Sequence, residues 1–164
     1  PIDPYRIHPQ SFPDPPTRAS ADWISRSDSM TRAIARARGE TPRVQPRREG
    51  PARLAPWERR LLGHRHSRAY AREVVLTTNN EAVLVARTVS ALDDPALTVI
   101  RKLGSRPLAE LLFEDPDWRR ASALIPLIEL GPRRIGRTCL WAYGRTGQSR
   151  ILVTELFEPG MLIC

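Results

Sequence analysis

Two pairs of β-rich segments, each joined by a short turn, restrict the fold more than any other feature of this sequence. Residues 71–78 and 82–89 are rich in Val, Leu and Thr, and Asn79-Asn80 between them is a favourable pair for a tight turn. Residues 138–143 and 150–157 flank a glycine-containing turn in the same way. The sequence therefore predicts two hairpins of an antiparallel sheet.

Three further segments predict helices placed before and within this sheet. Residues 21–38 have a helical pattern, in which Asp28-Ser29-Met30-Thr31 supplies capping side chains and Gly39 a stop. Residues 57–62 predict a short helical turn. Residues 107–113 begin with proline and space their apolar residues like a short helix. The sum is an α+β domain.

Proline marks the segments for which no regular structure is expected. Residues 1–20 contain six prolines and predict an extended N-terminal arm, which leaves 21–164 as a single domain. Residues 41–56 are rich in Pro, Arg and Gly and predict a loop. Residues 121–130 are largely apolar but carry Pro126, which indicates an edge strand or an interrupted strand.

Composition and charge exclude several classes of protein. The net charge is +8 and comes almost wholly from arginine, since Lys102 is the only lysine. The charge fits either an anionic partner or arginines spread over a solvated surface. Because no basic run exceeds two residues, the chain has no basic stripe, and we expect no nucleic-acid binding.

We expect a cytoplasmic protein without a membrane span, because no apolar run is long enough and no signal peptide is visible. Cys139 and Cys164 are too few for a disulfide framework in a chain of this size. The histidines show no metal-ligand pattern with these cysteines, so no metal site is predicted. Nothing in the sequence fixes the oligomeric state. The lack of a heptad or a long apolar stripe favours a monomer.

Three ionisable residues each have apolar neighbours two positions away on a predicted strand: Arg72, Arg87 and Glu155. Side chains alternate along a strand, so each charge shares a face with apolar residues. A buried charge is costly unless it is paired or liganded. Two explanations stay open, namely a structural Arg–Glu pair and a closed pocket in which guanidinium groups hold the carboxylates of an anion.

Five short motifs, in one order along the chain, cover most of residues 21–160. They are Asp28-Ser29-Met30-Thr31, Arg72-Glu73-Val74-Val75-Leu76, Ala86-Arg87-Thr88-Val89, Lys102-Leu103-Gly104 followed by Pro107-Leu108 and Leu112-Phe113, and Thr154-Glu155-Leu156-Phe157 with Pro159. Together they resemble the bacterial chorismate lyase family. Residues 1–20, 41–56 and 118–132 match no pattern of that family.

The resemblance implies a six-stranded antiparallel sheet with helical flaps that enclose a ligand. It implies an enzyme that splits chorismate into pyruvate and 4-hydroxybenzoate, the first step of bacterial ubiquinone synthesis, without a cofactor. It implicates Arg72 and Glu155 in binding and catalysis, and Met30 and Leu108 as product-binding positions that act through their backbone. Arg87 is a candidate for the second carboxylate, which follows more from the face argument than from the family.

Alternatives remain for both the mechanism and the function. Glu155 is either a general acid or a group that only orients a substrate whose ring hydrogen passes directly to the leaving enolpyruvate. The same fold class also serves as a non-catalytic small-molecule sensor, because a fold does not fix a function. Strong inhibition by 4-hydroxybenzoate is expected if the pocket is enclosed.

Overall fold

The computed structural model describes residues 1–9 and 17–162. Within these residues the chain forms one antiparallel sheet of eight strands with helices on both faces. The predicted α+β class is confirmed. The expected number of six strands is wrong, because two three-residue strands extend the set of six longer ones.

The strands are β1 (Ile7–Pro9), β2 (Arg43–Arg53), β3 (Arg68–Thr78), β4 (Glu81–Ser90), β5 (Trp118–Arg120), β6 (Ile125–Glu129), β7 (Arg134–Tyr143) and β8 (Ser149–Phe157). The helices are α1 (Arg18–Ser25), α2 (Met30–Arg38), α3 (Pro56–Leu62), α4 (Leu97–Ile100) and α5 (Leu108–Glu114). The order in the sheet is β1-β6-β7-β8-β4-β3-β2, and β5 also pairs with β7.

Both predicted hairpins are present and form the middle of the sheet. β3 pairs with β4, β7 pairs with β8, and β4 pairs with β8 to join the two hairpins. Asn79 and Asn80 have φ of 49° and 63°, the left-handed conformation that a two-residue hairpin turn requires at both positions. Asparagine tolerates this conformation, which explains why the chain reverses there.

The prediction of a loop at 41–56 is wrong for its central part, which forms strand β2. β2 lies at the edge of the sheet and, in the part of the chain that the structure describes, pairs only with β3, with an irregularity between Pro46 and Arg48. Proline is tolerated on an edge strand because the missing N–H leaves no inner ladder bond unmade. Of the side chains of β2 only Val44 and Ala52 are buried, so no apolar alternation marked this strand in the sequence.

The proline-rich N-terminal segment has regular structure in the part that the structure describes. A 3-10 turn at Pro4–Arg6 leads into β1, which pairs with β6, and Ile2 and Ile7 are buried in the core. Residues 10–16 lie outside the described residues, and α1 begins at Arg18, before the predicted helix start.

The segment predicted as one helix over 21–38 is two helices. Ser29 caps the start of the second helix, α2, because its side chain accepts a hydrogen bond from the backbone N–H of Arg32 at 3.4 Å. Gly39 ends it with φ 69°, as predicted. The predicted short helices at 57–62 and 107–113 are also present. No helix in the described ranges could span a membrane, and the longest, α2, has nine residues.

The two faces of the sheet carry different layers. One face, the α3 face, packs on α3 through a core that includes Val85, Leu152 and Leu156. The other face, the pocket face, is covered by two helical segments. Residues 18–38 form the first cover over the β3–β4 side, and residues 97–114 form the second cover over the ends of β7 and β8.

Candidate functional site

A cavity lies between the pocket face and the two covers, with about 720 Å³ of empty space that includes the part open to solvent. Four of the five residues proposed from sequence line it: Met30, Arg72, Leu108 and Glu155. Most of its other walls are apolar side chains from the sheet and α5. A mostly apolar cavity with a few converging polar groups is the usual form of a small-molecule site.

The pairing of the strands places Arg72 and Glu155 on the same face of the sheet. Arg72 on β3 lies opposite Thr88 on β4, and Glu155 on β8 lies opposite Ala86, two residues earlier on β4. Thr88 and Ala86 share a face because strand side chains alternate. The two charged groups therefore occupy neighbouring rows of one surface, although 83 positions separate them in the sequence.

The guanidinium of Arg72 is buried but not saturated with hydrogen bonds. Its side chain is 2% exposed, and its Nη2 donates to the carbonyl oxygens of Gly104 at 2.8 Å and Arg106 at 3.3 Å in the second cover. Its Nε is buried without a hydrogen-bond acceptor among the described residues, and the nearest carboxylate oxygen, of Glu49, is 3.9 Å away.

Burial lowers the pKa of Arg72, and the neighbouring Glu49 and Tyr70 only partly offset this effect. Arginine nevertheless keeps its proton in proteins, so the site contains a desolvated cation with an unused donor. Glu49, at 3.9 Å, compensates this buried cation only weakly, and an anionic ligand reduces the remaining penalty.

Glu155 is held by a residue that the sequence analysis missed, Arg137 on β7. Arg137 Nε donates to Glu155 Oε2 at 2.7 Å. Its Nη1 donates to the carbonyl oxygens of Ile24, at 3.3 Å, and of Arg26. The side chain of Arg137 is almost fully buried and lines the cavity. It connects the carboxylate of Glu155 to the first cover.

A signal for Arg137 was present in the sequence. The predicted strand began at Thr138, whereas β7 begins at Arg134. With the strand extended, Arg137 shares its face with Cys139 and Trp141, both buried. This is the same pattern of one ionisable residue among apolar neighbours that pointed to Arg72 and Glu155.

Arg87 does not line the cavity, so its assignment to a second carboxylate of the ligand is corrected. It lies on the α3 face, because Ala86 and Thr88 on either side of it face the cavity. Its Nε donates to Glu58 Oε1 at 2.7 Å and its Nη1 to Glu73 Oε1 at 2.6 Å. Burial alone would lower the pKa of Arg87, but Glu58 and Glu73 outweigh it and raise that pKa.

Met30 and Leu108 are the first residues of α2 and α5, one in each cover. Both side chains are buried and line the cavity. Backbone N–H groups in the first turn of a helix have no acceptor within the helix. The geometry therefore fits the backbone role that the family resemblance implies for these two positions.

Two other cavity residues have chemistry of their own. Burial raises the pKa of the Cys139 thiol, and this effect outweighs the hydrogen bond with Ser122, which lowers that pKa. A neutral and weakly nucleophilic thiol is therefore expected there. Arg120, from β5, is half-buried at the outer part of the cavity and contacts the aromatic rings of Phe113 and Trp141.

Comparisons with known proteins match this chain to one family. A model of the chorismate lyase family matches residues 10–162. A "probable chorismate pyruvate-lyase" of Pseudomonas savastanoi is 33% identical, over 98% of this chain and 90% of the relative. A "chorismate pyruvate-lyase" of Escherichia coli is 36% identical, over 84% of this chain and 81% of the relative.

A similar fold occurs in a solved structure of low identity. The crystal structure of PhnF from Mycobacterium smegmatis superposes with a TM-score of 0.52 at 14% identity, over 83% of this chain and 66% of that structure. At this identity the likeness concerns the fold alone. The family match, in contrast, extends over nearly the whole chain, and the curated relatives are named as lyases. The chain therefore belongs to the chorismate lyase family.

Proposed function

We propose that this chain removes pyruvate from chorismate and releases 4-hydroxybenzoate. The observation that carries the proposal is the position of Arg72 and Glu155, which line one enclosed cavity beneath both covers. Chorismate is a dianion, so a cavity with buried guanidinium groups suits it. The family membership and the names of the relatives support the same reaction.

The reaction balances without a co-reactant. The ether bond between ring C3 and the enolpyruvyl oxygen breaks, and the electron pair leaves with that oxygen. The ring loses the hydrogen at C4, and the electron pair of that C–H bond completes the aromatic ring. The enolpyruvate gains the proton at its methylene carbon and becomes pyruvate. Since aromatisation drives this step, the protein need supply only position and electrostatic stabilisation.

Arg72 binds the ring carboxylate of chorismate in this proposal. The hydrogen bonds from Nη2 to the Gly104 and Arg106 carbonyl oxygens of the second cover fix the direction of the guanidinium, and Nε remains available to the ligand. The backbone at Met30 and Leu108 adds contacts from the two covers. Closure excludes water, which strengthens each of these charge-assisted hydrogen bonds.

Glu155 orients the oxygen end of the ring rather than donating a proton. Its Oε2 already accepts a hydrogen bond from Arg137, as an ionised carboxylate does, and we propose that Oε1 accepts a hydrogen bond from the ligand. The C4 hydrogen then passes directly to the enolpyruvyl methylene in a six-membered cyclic array.

Chorismate labelled with deuterium at C4 distinguishes direct transfer from general-acid catalysis by Glu155. Retention of the label in the pyruvate methyl supports direct transfer, and exchange with solvent supports general-acid catalysis.

The proposal is tested by mixing the purified chain with chorismate and following 4-hydroxybenzoate by its absorbance. We expect turnover without an added cofactor, and loss of turnover in Glu155→Ala with the fold retained by circular dichroism. Binding of 4-hydroxybenzoate without turnover of chorismate would instead indicate a non-catalytic sensor. Neither binding nor turnover by a folded chain would contradict both functions.

Enclosure of the cavity by two covers has a kinetic consequence. The covers narrow the way out for the product, so we expect slow release and strong competitive inhibition by 4-hydroxybenzoate. We also propose that the chain acts at the first step of ubiquinone synthesis in the cytoplasm, where later steps consume the aromatic product. Weak inhibition by the product would count against tight enclosure.

A further inference from the structure

Chorismate and 4-hydroxybenzoate differ in the number of carboxylates, two in the substrate and one in the product. Arg72 provides a cation for only one of them. Among the described residues, three arginines line the cavity, and Arg137 already has a carboxylate partner in Glu155. The remaining cation is Arg120, which has no hydrogen bond to a carboxylate within the described part of the chain.

The guanidinium of Arg120 is held in place but leaves a donor unused. Its central carbon lies 5.0 Å from the ring centre of Trp141 and 5.6 Å from that of Phe113. Its Nη1 donates to the carbonyl oxygen of Ser27 at 2.7 Å. Its Nε is buried and has no hydrogen-bond acceptor among the described residues. Aromatic contacts fix the plane of an arginine and leave its edge for an anion.

Arg120 lies nearer the solvent than the other two arginines, where it would meet the outer end of a ligand. Arg72 and Arg137 are 2% and 3% exposed, whereas Arg120 is only half-buried and contacts Phe113, which is 38% exposed. A ligand whose ring carboxylate reaches Arg72 in the interior thus presents its opposite substituents to the outer part of the cavity. In chorismate, the enolpyruvyl ether with its carboxylate is such a substituent.

We propose that Arg120 binds the enolpyruvyl carboxylate of chorismate and so distinguishes the substrate from the product. This inference rests on the proposed function. Arg120 contacts this carboxylate in the intact substrate. After the ether bond breaks, the carboxylate belongs to pyruvate, and the aromatic product has no group that reaches Arg120. Arg120 also connects Phe113 of the second cover to Ser27 of the first cover. Binding of the outer carboxylate therefore stabilises the closed arrangement for the substrate more than for the product.

The test compares Arg120→Gln with a matched variant, Arg119→Gln. Arg119 lies next to Arg120 on β5 and is exposed, and its Nη1 donates to the Gly144 carbonyl oxygen rather than lining the cavity. Both variants remove one positive charge. The measured quantities are KM and kcat for chorismate and the inhibition constant of 4-hydroxybenzoate.

We expect Arg120→Gln to lower kcat/KM for chorismate by about 10- to 100-fold, as loss of a charge-assisted hydrogen bond predicts. The inhibition constant of 4-hydroxybenzoate should change by less than about threefold, since the product lacks the second carboxylate. Arg119→Gln should change neither constant by more than about twofold. Arg120→Lys, which keeps the charge but not the planar fork, should fall between wild type and Arg120→Gln.

Two results would overturn the inference. Equal weakening of chorismate and 4-hydroxybenzoate in Arg120→Gln would show that Arg120 only holds the covers together. Unchanged kcat/KM for chorismate would show that it makes no substrate contact. If wild type does not turn over chorismate, the proposed function fails by itself. Calorimetry with intact chorismate then tests Arg120 directly, and equal affinity of wild type and Arg120→Gln would contradict its role.

Discussion

Arg72 and Arg87 lie on adjacent central strands and are both 2% exposed, yet their surroundings differ in kind. On the α3 face, Arg87 bonds to two carboxylates and also donates to the Arg53 carbonyl oxygen at 3.2 Å. On the pocket face, Arg72 bonds only to carbonyl oxygens and keeps a buried Nε without an acceptor in the described ranges.

The difference shows what separates a structural cation from a binding cation. Both arginines follow the same sequence pattern, so burial does not distinguish them. A guanidinium whose donors are used by carboxylates is part of the scaffold, because its charge is already compensated. A guanidinium with an unused donor beside a cavity is only partly compensated, and the ligand supplies the hydrogen-bonded anion. Variants of the two residues should therefore change different properties.

The largest effect is expected for Arg87→Ala, in stability. It leaves Glu58 and Glu73 buried without their cation, and uncompensated buried charges cost about 3–5 kcal/mol. Glu58 also accepts the backbone N–H of Ala55 at 2.9 Å at the start of α3, so the helix is affected as well. Urea unfolding measures the free energy of unfolding.

Arg43→Ala is the matched control for Arg87→Ala. Arg43 is exposed at the start of the edge strand β2, and an exposed position of this kind changes stability by less than about 0.5 kcal/mol. A loss of stability in Arg87→Ala as small as that of the control would show that the ion cluster on the α3 face is not a structural requirement.

The second effect is expected for Arg72→Ala, in activity. Removal of the deep carboxylate anchor should lower kcat/KM for chorismate by about 100- to 1,000-fold, while the free energy of unfolding changes by less than about 2 kcal/mol. Stability changes little because the lost side chain is a desolvated cation without a hydrogen-bonded carboxylate. Near-normal kcat/KM, or a loss of stability equal to that of Arg87→Ala, would remove the distinction between the two arginines.

The sequence was sufficient to predict the two central hairpins, the cap of α2 and four cavity residues. Alternation in β3 and β8 marked Arg72 and Glu155 because each strand has a regular period of two. It could not assign Arg87 to a face, since this requires knowing which residues of β3, β4 and β8 lie opposite one another. Strand β2 was missed because backbone pairing with β3, and not apolar side chains, holds it at the edge.

A third prediction concerns Arg137, which acts through Glu155 as a positioning residue. Arg137→Gln should lower kcat by about tenfold or more with a smaller change in KM, because the carboxylate of Glu155 is then free to rotate. Arg137→Lys should restore part of kcat, since a cation again holds Glu155. If Arg137 only supports the first cover through the Ile24 and Arg26 carbonyl oxygens, KM would rise instead and lysine would give no recovery.

The smallest effect concerns Tyr70, which donates a hydrogen bond to Glu49, the residue whose carboxylate lies 3.9 Å from Arg72 Nε. Burial, and then the hydrogen bond to Glu49, raise the pKa of Tyr70 above its ordinary value of 10.0. The folded chain thus keeps a proton that the unfolded chain releases, and its free energy of unfolding falls as the pH rises through 10.0 towards the folded value.

Tyr70→Phe should reduce this alkaline loss of stability, whereas Tyr5→Phe, at a position 56% exposed, should not. In the Tyr70 variant Glu49 is released and can move from 3.9 Å towards Arg72, which would raise KM for chorismate by only a few-fold, about 1 kcal/mol or less. Urea unfolding between pH 8 and 11 and steady-state kinetics at neutral pH measure the two effects. An unchanged KM would mean that Glu49 does not compete with the ligand for Arg72. The position of the Arg72 guanidinium would then be set by the sheet and the second cover, without a contribution from Glu49.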